Sequence, residues 1–235
     1  MIYKDLFSND LPIYESKKTG LKFYCRPNTS DIKTIMEVVE KGCYEKTYFK
    51  IEKGEHWVDL GGNIGAFTCL AISKGATVDV YEPDDIHCDL IKKNLELNGF
   101  KANIIQKAVV VDAKGKINLF IGRNGNTWRN SLLRNWGFGK KEVETISIRD
   151  VINKDHCCKM DIEGFEMPII ESLNCRFKKL VFEWSFDIDN NIERYRNANK
   201  KMEKQYEMVH WGKIKEEHTK WKKEWFPPCK TIFCY

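Results

Sequence analysis

The chain has 235 residues, 42% of them hydrophobic, enough to bury one sizeable core. Its 39 Lys and Arg against 34 Asp and Glu give a net charge of +5, short of the strong basic bias of a duplex-binding domain. Nine cysteines, odd in number and without C-x-x-C spacing, argue against a disulfide framework or a zinc site and for a reducing, cytoplasmic setting.

Residues 1–50 read as a lead-in. Met1 to Leu11 is mixed and charged, unlike a secretory signal, and no segment is long and apolar enough to span a membrane. The first strong signal is HWVDLGGNIGAFT, His56 to Thr68. Trp57 to Leu60 is predicted to be a buried strand, and Ala66 to Ile72 has the spacing of a helix packed on a sheet. Between them Gly61, Gly62, Asn63 and Gly65 make a turn where the chain reverses and a ligand can touch the backbone. Unpaired amides at the start of the helix would face that ligand. Structural turns use the same residues, so context must decide. Ala76 to Tyr81 then alternates as a second strand ending in Glu82-Pro83, and Asp84 caps a helix running to about Asn98. Glu82 thus lies roughly 20 residues past the turn, where an acid binds the ribose hydroxyls of an adenosyl cofactor. Its competing role is helix capping.

Gly115 to Ile121 and Val143 to Ile148 alternate like a β pair inserted between the third and fourth parallel strands. The polar stretches Gly122 to Ser131 and Asn135 to Gly139 that join them read as a substrate loop. Asn130 and Ser131 are candidates to position an acceptor there, or else they stabilise a turn. After a strand from His156 to Met160 comes Lys159-Met-Asp161-Ile-Glu163-Gly164-Phe165-Glu166. In extended backbone Lys159, Asp161 and Glu163 share one side, at the carboxyl end where open α/β sheets bind ligands. Two carboxylates facing one way repel unless one holds a proton, a metal or a cation. The three together suit holding a hydroxyl nucleophile and accepting its proton. The plainer alternative is a solvated strand end, with Glu163 or Glu166 starting a helix from Met167 to Leu173.

Phe182-Glu183-Trp184 closes a fifth strand, and Glu183 joins the candidates for the same pocket. Tyr206 to Trp211 and Thr231 to Tyr235 supply two last strands, the final one antiparallel. The segment WGKIKEEHTKWKKEW, Trp211 to Trp225, interleaves lysines with tryptophans. It reads as an amphipathic surface, with stacking on sugars or bases as the alternative. Trp128, Trp136 and Trp184 pose the same choice as sugar platforms. No histidine has metal-ligand spacing to another, and His210 and His218 are surface residues or candidate bases.

Asp59 just before the turn chooses between cofactors. It would repel the pyrophosphate of a nicotinamide dinucleotide, whose turn is G-x-G-x-x-G, and suits the ammonium end of S-adenosylmethionine. Asp59-Leu-Gly61-Gly62-Asn63-Ile-Gly65, Tyr81-Glu82-Pro83, Asn98-Gly99, Asn130-Ser131-Leu132 and Lys159 to Glu166 together resemble the FkbM family of S-adenosylmethionine-dependent methyltransferases. Gly42-Cys-Tyr44-Glu45 resembles that family's lead-in. The resemblance covers roughly Gly42 to Trp184. It implies a Rossmann-like class I methyltransferase, α/β, with a mostly parallel seven-stranded sheet and helices on both faces. It also implies methyl transfer to oxygen, on hydroxyls of sugars, glycolipids or polyketides. Gly62 departs from the family, which often has alanine there; at most this loosens the turn.

The expectation is one domain over residues 1–235: a lead-in at 1–50, an FkbM-like core at 51–184 and a variable part at 185–235 completing the sheet. Asp59, Gly61, Gly62, Asn63, Gly65 and Glu82 would hold the donor. Asp161, Glu163 and Lys159 would orient and deprotonate a carbohydrate hydroxyl, with Asn130, Ser131 and Glu183 on the acceptor side. Asp161 and Glu163 also suit magnesium as hard oxygen ligands, a minority alternative to a site without metal. Three rivals are an RNA ribose methyltransferase, a nicotinamide oxidoreductase and a non-catalytic S-adenosylmethionine-binding module.

Overall fold

A computed structural model describes residues 11–113, 115–122, 126–185, 188, 191–210 and 229–235. The Trp211 to Trp225 segment, with its lysines and His218, lies outside the described residues. The chain begins with an antiparallel hairpin of β1 (Ile13–Glu15) and β2 (Lys22–Tyr24), then α1 (Asp31–Ile35), which continues as a π-helical turn Met36–Glu40. Asn94 fastens this hairpin to the core. Its side chain accepts from Tyr24 N at 2.7 Å and donates to Ile64 O at 2.8 Å, so one buried amide ties the lead-in to the glycine turn.

The central unit alternates strand and helix: β3 (His56–Leu60), α2 (Ala66–Ser73), β4 (Thr77–Tyr81), α3 (Asp85–Leu97) and β5 (Asn103–Ile105). A second sheet, in the order β6-β8-β7, interrupts it with β6 (Ala108–Val110), β7 (Lys116–Phe120) and β8 (Lys140–Ser147). The expected β pair is therefore present, in antiparallel register from Lys116 opposite Glu144 to Phe120 opposite Lys140. The alternation then resumes with β9 (Cys157–Met160), α4 (Glu166–Ser172), β10 (Lys179–Ser185), α5 (Ile192–Gln205), β11 (Val209–His210) and β12 (Cys229–Cys234).

Seven strands join in the order β11-β12-β10-β9-β3-β4-β5. β3, β4, β5, β9 and β10 run parallel, and β12 is antiparallel to both its neighbours. Numbered along the chain within this sheet, the order is 6-7-5-4-1-2-3, the Rossmann-like methyltransferase arrangement. Parallel strands covered on both faces read as continuous apolar runs, and β9 is buried at all four positions. Alternation then sorts side chains between two cores. Trp57 and Cys157 join Phe67, Leu70 and Ile91 on the α2/α3 face; Val58, Leu60, Cys158 and Met160 join Met167, Ile170 and Met202 on the α4/α5 face. Every cysteine whose side chain is described is a free thiol. Among the described residues no helix is long and apolar enough to cross a membrane.

The connections diverge at one place. From β3 the chain crosses to β4 on one side, and from β9 to β10 on the other, so the crevice between the carboxyl ends of β3 and β9 is the sheet's switch point, where open α/β sheets bind ligands.

Candidate active site

A cavity of about 830 Å³ occupies that crevice. Its floor is the glycine turn with Glu82, Asp161, Ile162, Glu163 and Glu183. The α1 segment covers one side with Lys33, Thr34 and Glu37, and the inserted loop covers the other with Asn126 to Asn130.

The turn owes its glycines to crowding by the protein itself. Gly61 and Gly62 both donate to Tyr81 O, at 2.9 and 3.3 Å, which pulls the turn over the end of β4. Gly61 has φ +82, and a Cβ there would stand 2.0 Å from the Asp161 carbonyl oxygen. At Gly62 a Cβ would lie 2.3 Å from Val80 Cγ2 and 2.9 Å from Ile91 Cδ1, so in this chain an alanine requires those side chains to shift. These glycines thus make room for neighbouring strands, whereas the sequence suggested room for a ligand. Gly65, with φ +80, starts α2 and does not line the cavity. Glu82 is 5% exposed and locked at the end of β4. Oε2 accepts from Asn63 N at 2.8 Å and Oε1 from Asp84 N at 2.9 Å, and His87 Nδ1 stands 3.6 Å from Oε1. Asp84 itself caps α3, accepting from Ile86 N.

Lys159 borders the cavity as the sequence suggested, whereas Asp59 lies behind it. The parallel register sets them side by side on adjacent strands, on one face of the sheet. Lys159 Nζ lies 3.1 Å from Asp59 Oδ1 and donates to Gly61 O at 2.7 Å; Thr68 donates to Asp59 Oδ2 at 2.6 Å. Asp59 is fully buried and does not line the cavity, and its carboxylate balances Lys159. Burial acts to lower the Lys159 pKa, but Asp59 and Asp161 outweigh it and the net shift is upward. A lysine kept protonated and engaged with a carbonyl holds the turn; it is no base for an acceptor hydroxyl. Of the role expected of Lys159, proton acceptance conflicts with this charge state, while its place on the lining is as expected.

Asp161 and Glu163 do share the cavity wall, though extended backbone is not the reason. β9 ends at Met160 and Glu163 adopts the left-handed conformation, φ +54. Tyr44 donates to Asp161 Oδ2 at 2.6 Å, while Asp161 Oδ1 has no hydrogen-bond partner among the described residues. Glu163 Oε2 faces Arg129 Nη1 at 3.2 Å. Burial pushes the Glu163 carboxyl well up; Arg129 opposes this, and Asp161, Glu183 and Glu166 add to it. Glu166 turns away and accepts from Ile162 N and Gly164 N, fixing the bend after β9.

Asn130 and Ser131 are struts of the inserted loop. Asn130 accepts from Gly122 N and donates to Asp84, so its amide braces the loop while bordering the cavity. Ser131 is fully buried, donates to Glu163 O at 2.6 Å, accepts from Leu133 N and Arg134 N, and does not line the cavity. The acceptor role expected of Ser131 gives way to this latch. Trp128 and Trp136 line the cavity, with Lys33 4.4 Å over the first ring and Arg129 4.8 Å over the second. Trp184 is core, stacked on Tyr195, and offers no platform. His210 binds Tyr235 Oη and stacks on Tyr48, outside the cavity.

A family model for the methyltransferase FkbM domain matches residues 59–210, well over half of the chain. The chain belongs to the FkbM methyltransferase family. A comparison with curated proteins found no match. Among solved structures, it is similar to an FkbM methyltransferase from Methylobacillus flagellatus at 15% identity and a TM-score of 0.47, over 80% of this chain and 45% of that one. It is also similar to the Pyrococcus abyssi tRNA (uracil-54, C5)-methyltransferase in complex with S-adenosyl-L-homocysteine, at 14% and 0.48 over 94% and 43%, and to the Geobacter metallireducens precorrin-6y C5,15-methyltransferase, at 12% and 0.45 over 94% and 93%. The chain thus spans less than half the length of the first two.

The FkbM methyltransferase family uses S-adenosylmethionine as methyl donor. The residues present fit it. Glu37, Glu82, Asp161, Glu163 and Glu183 line the cavity beside Lys33, Lys107, Arg129 and Lys159, so acids and cations together border a site able to hold a ligand with carboxylate as well as sulfonium and ammonium groups, and the volume falls in the usual range for cofactor sites. Asn63 Oδ1, also on the lining, is buried without a partner among the described residues. No cluster of metal-ligating side chains stands among the described residues. Two contributors escaped the sequence reading: Arg129, whose role depends on loop placement, and Tyr44, noted only as part of a familial lead-in.

Proposed function

We propose that this FkbM chain is an S-adenosylmethionine-dependent O-methyltransferase acting on a hydroxyl of a sugar, in a glycan or glycolipid. What carries the reading is the arrangement in one cavity: Glu82 and the Gly61–Asn63 turn line it together with Asp161, whose buried Oδ1 has no hydrogen-bond partner among the described residues. The donor supplies a methyl group on a positively charged sulfur. Glu82 would hold the ribose, and the Gly61–Asn63 turn the methionine end. Asp161 would accept the proton that the hydroxyl loses as its oxygen takes the methyl carbon and the carbon–sulfur bond breaks, the donor leaving as the neutral thioether S-adenosylhomocysteine. Glu163, whose carboxyl is pushed up by burial, keeps its proton to higher pH and orients the acceptor as a hydrogen-bond donor. Trp128 and Trp136, among Asn126, Thr127 and Asn130, give a wall of flat aromatic faces and amides suited to a sugar. Alignment of oxygen, methyl and sulfur supplies most of the acceleration.

The test is transfer of labelled methyl from S-adenosylmethionine to fractionated glycans, lipids and RNA. Label is expected in carbohydrate-bearing fractions, with Asp161→Ala slowing transfer by about 10²–10⁴-fold. Label entering RNA, or full turnover by Asp161→Ala, would defeat the reading.

A further inference from the structure

Tyr44 belongs to the lead-in, before the segment that matches the family, yet it is 3% exposed and lines the cavity. Three contacts fix it. Its ring packs edge-on against Phe67 with centroids 5.8 Å apart, Lys159 Nζ stands 5.5 Å from its ring centroid, and its hydroxyl donates to Asp161 Oδ2 at 2.6 Å. The neighbouring residue clamps this stretch to the core: Glu45 pairs with Lys74 of the α2 end at 2.6 Å and accepts from Ile51 N. Such a short O–H···O contact to a carboxylate is of the strong, charge-assisted kind. Burial, with Asp161 and Glu183 beside it, pushes the phenol well above its ordinary value, so it stays protonated and donates at all working pH.

We propose that Tyr44 is a positioning residue for methyl transfer: its hydroxyl occupies one oxygen of Asp161 and thereby fixes the other, Oδ1, toward the acceptor. This rests on the reading of Asp161 as the group that takes the hydroxyl proton. A carboxylate on a bend has a rotatable side chain, and a rigid donor on one oxygen removes that freedom before substrate arrives. The lead-in is therefore part of the active site as well as a cover for the sheet.

Two measurements on the full chain decide this. In the wild type, proton NMR should show a far-downfield, exchange-protected hydroxyl signal that disappears in both Tyr44→Phe and Asp161→Ala. Tyr44→Phe keeps the ring and is expected to lower kcat by 10-fold or more, with S-adenosylhomocysteine affinity within threefold of wild type. Added to Asp161→Ala, the same change should cost nothing further, because Tyr44 acts only through Asp161. Absence of the signal, or an equal loss in the Asp161→Ala background, would overturn the proposal. The proton signal needs no acceptor, so failure of the sugar reading shows separately, as a wild type that carries the signal and methylates no carbohydrate.

Discussion

At the scale of single residues, the site is governed by how buried charges are balanced. Lys159 and Asp59 neutralise each other beneath the turn, with side chains 5% and 0% exposed. Removing one partner strands the other. Lys159→Met should therefore destabilise the fold by about 3–5 kcal/mol, read from urea denaturation midpoints; an unchanged midpoint with lost activity would return Lys159 to a chemical role. Glu166 gives a pH signature. Burial, reinforced by Asp161, raises its carboxyl to about 8 from an ordinary 4.5. The folded protein then binds a proton that the unfolded chain releases, so this group costs no stability below pH 4.5 and an increasing amount as pH rises toward 8. Stability measured between pH 5 and 8 should fall with a slope that Glu166→Gln flattens. An unaltered slope would mean that the two backbone donors keep the carboxylate charged.

At the scale of elements, the β7–β8 insertion turns from an appendage into a wall of the cavity through a few struts. The bridge between Phe120 and Ser131 closes the loop at its base, and Ser131 Oγ ties that base to the bend carrying Glu163. At the tip, Thr127 meets Ser30 and Asp31 of the α1 start, at 2.9 and 3.2 Å. Ser131→Ala leaves the buried Glu163 carbonyl and two amides without that hydroxyl, a loss of about 1–3 kcal/mol. It should appear as faster hydrogen exchange in residues 120–134, with α2 and α3 amides unchanged. Uniform protection across the insertion in the variant would show that the latch is dispensable. Much of this element was legible beforehand: β alternation predicted both strands within a few residues. The roles of its polar residues were not legible, because a serine that latches and a serine that binds have the same letter, and only the partner across 32 residues tells them apart.

At the scale of the whole molecule, a parallel sheet with its switch point at β3/β9 gathers glycine turn, Glu82, Asp161 and Glu183 from segments more than 100 residues apart. A ligand bound there should stabilise the entire fold. S-adenosylhomocysteine at 100 times its Kd is expected to add about 2.7 kcal/mol, measured as a rise in thermal midpoint, and Glu82→Ala should abolish most of that rise at the same concentration. No rise in the wild type would remove the donor site from this crevice.

The sequence by itself determined the βα alternation, the caps at Asp84 and the turn at Gly61 to Gly65, the antiparallel final strand, and the family. These are local or ordered patterns: period-2 and period-3.6 spacing, short-range capping, and motifs in series. It also singled out Glu82, Asp161 and Glu163, which do face one cavity. Only the tertiary structure decided that Asp59 is spent on Lys159, that Gly62 is small because of Val80, that Ser131 is a latch, and that Tyr44 reaches Asp161. Each of these depends on register between strands or on a contact between distant segments, and a linear chain records neither. Strand pairing gives an acid with an expected ligand a buried cation as its partner, because in a dry interior a charge must lie beside an opposite one.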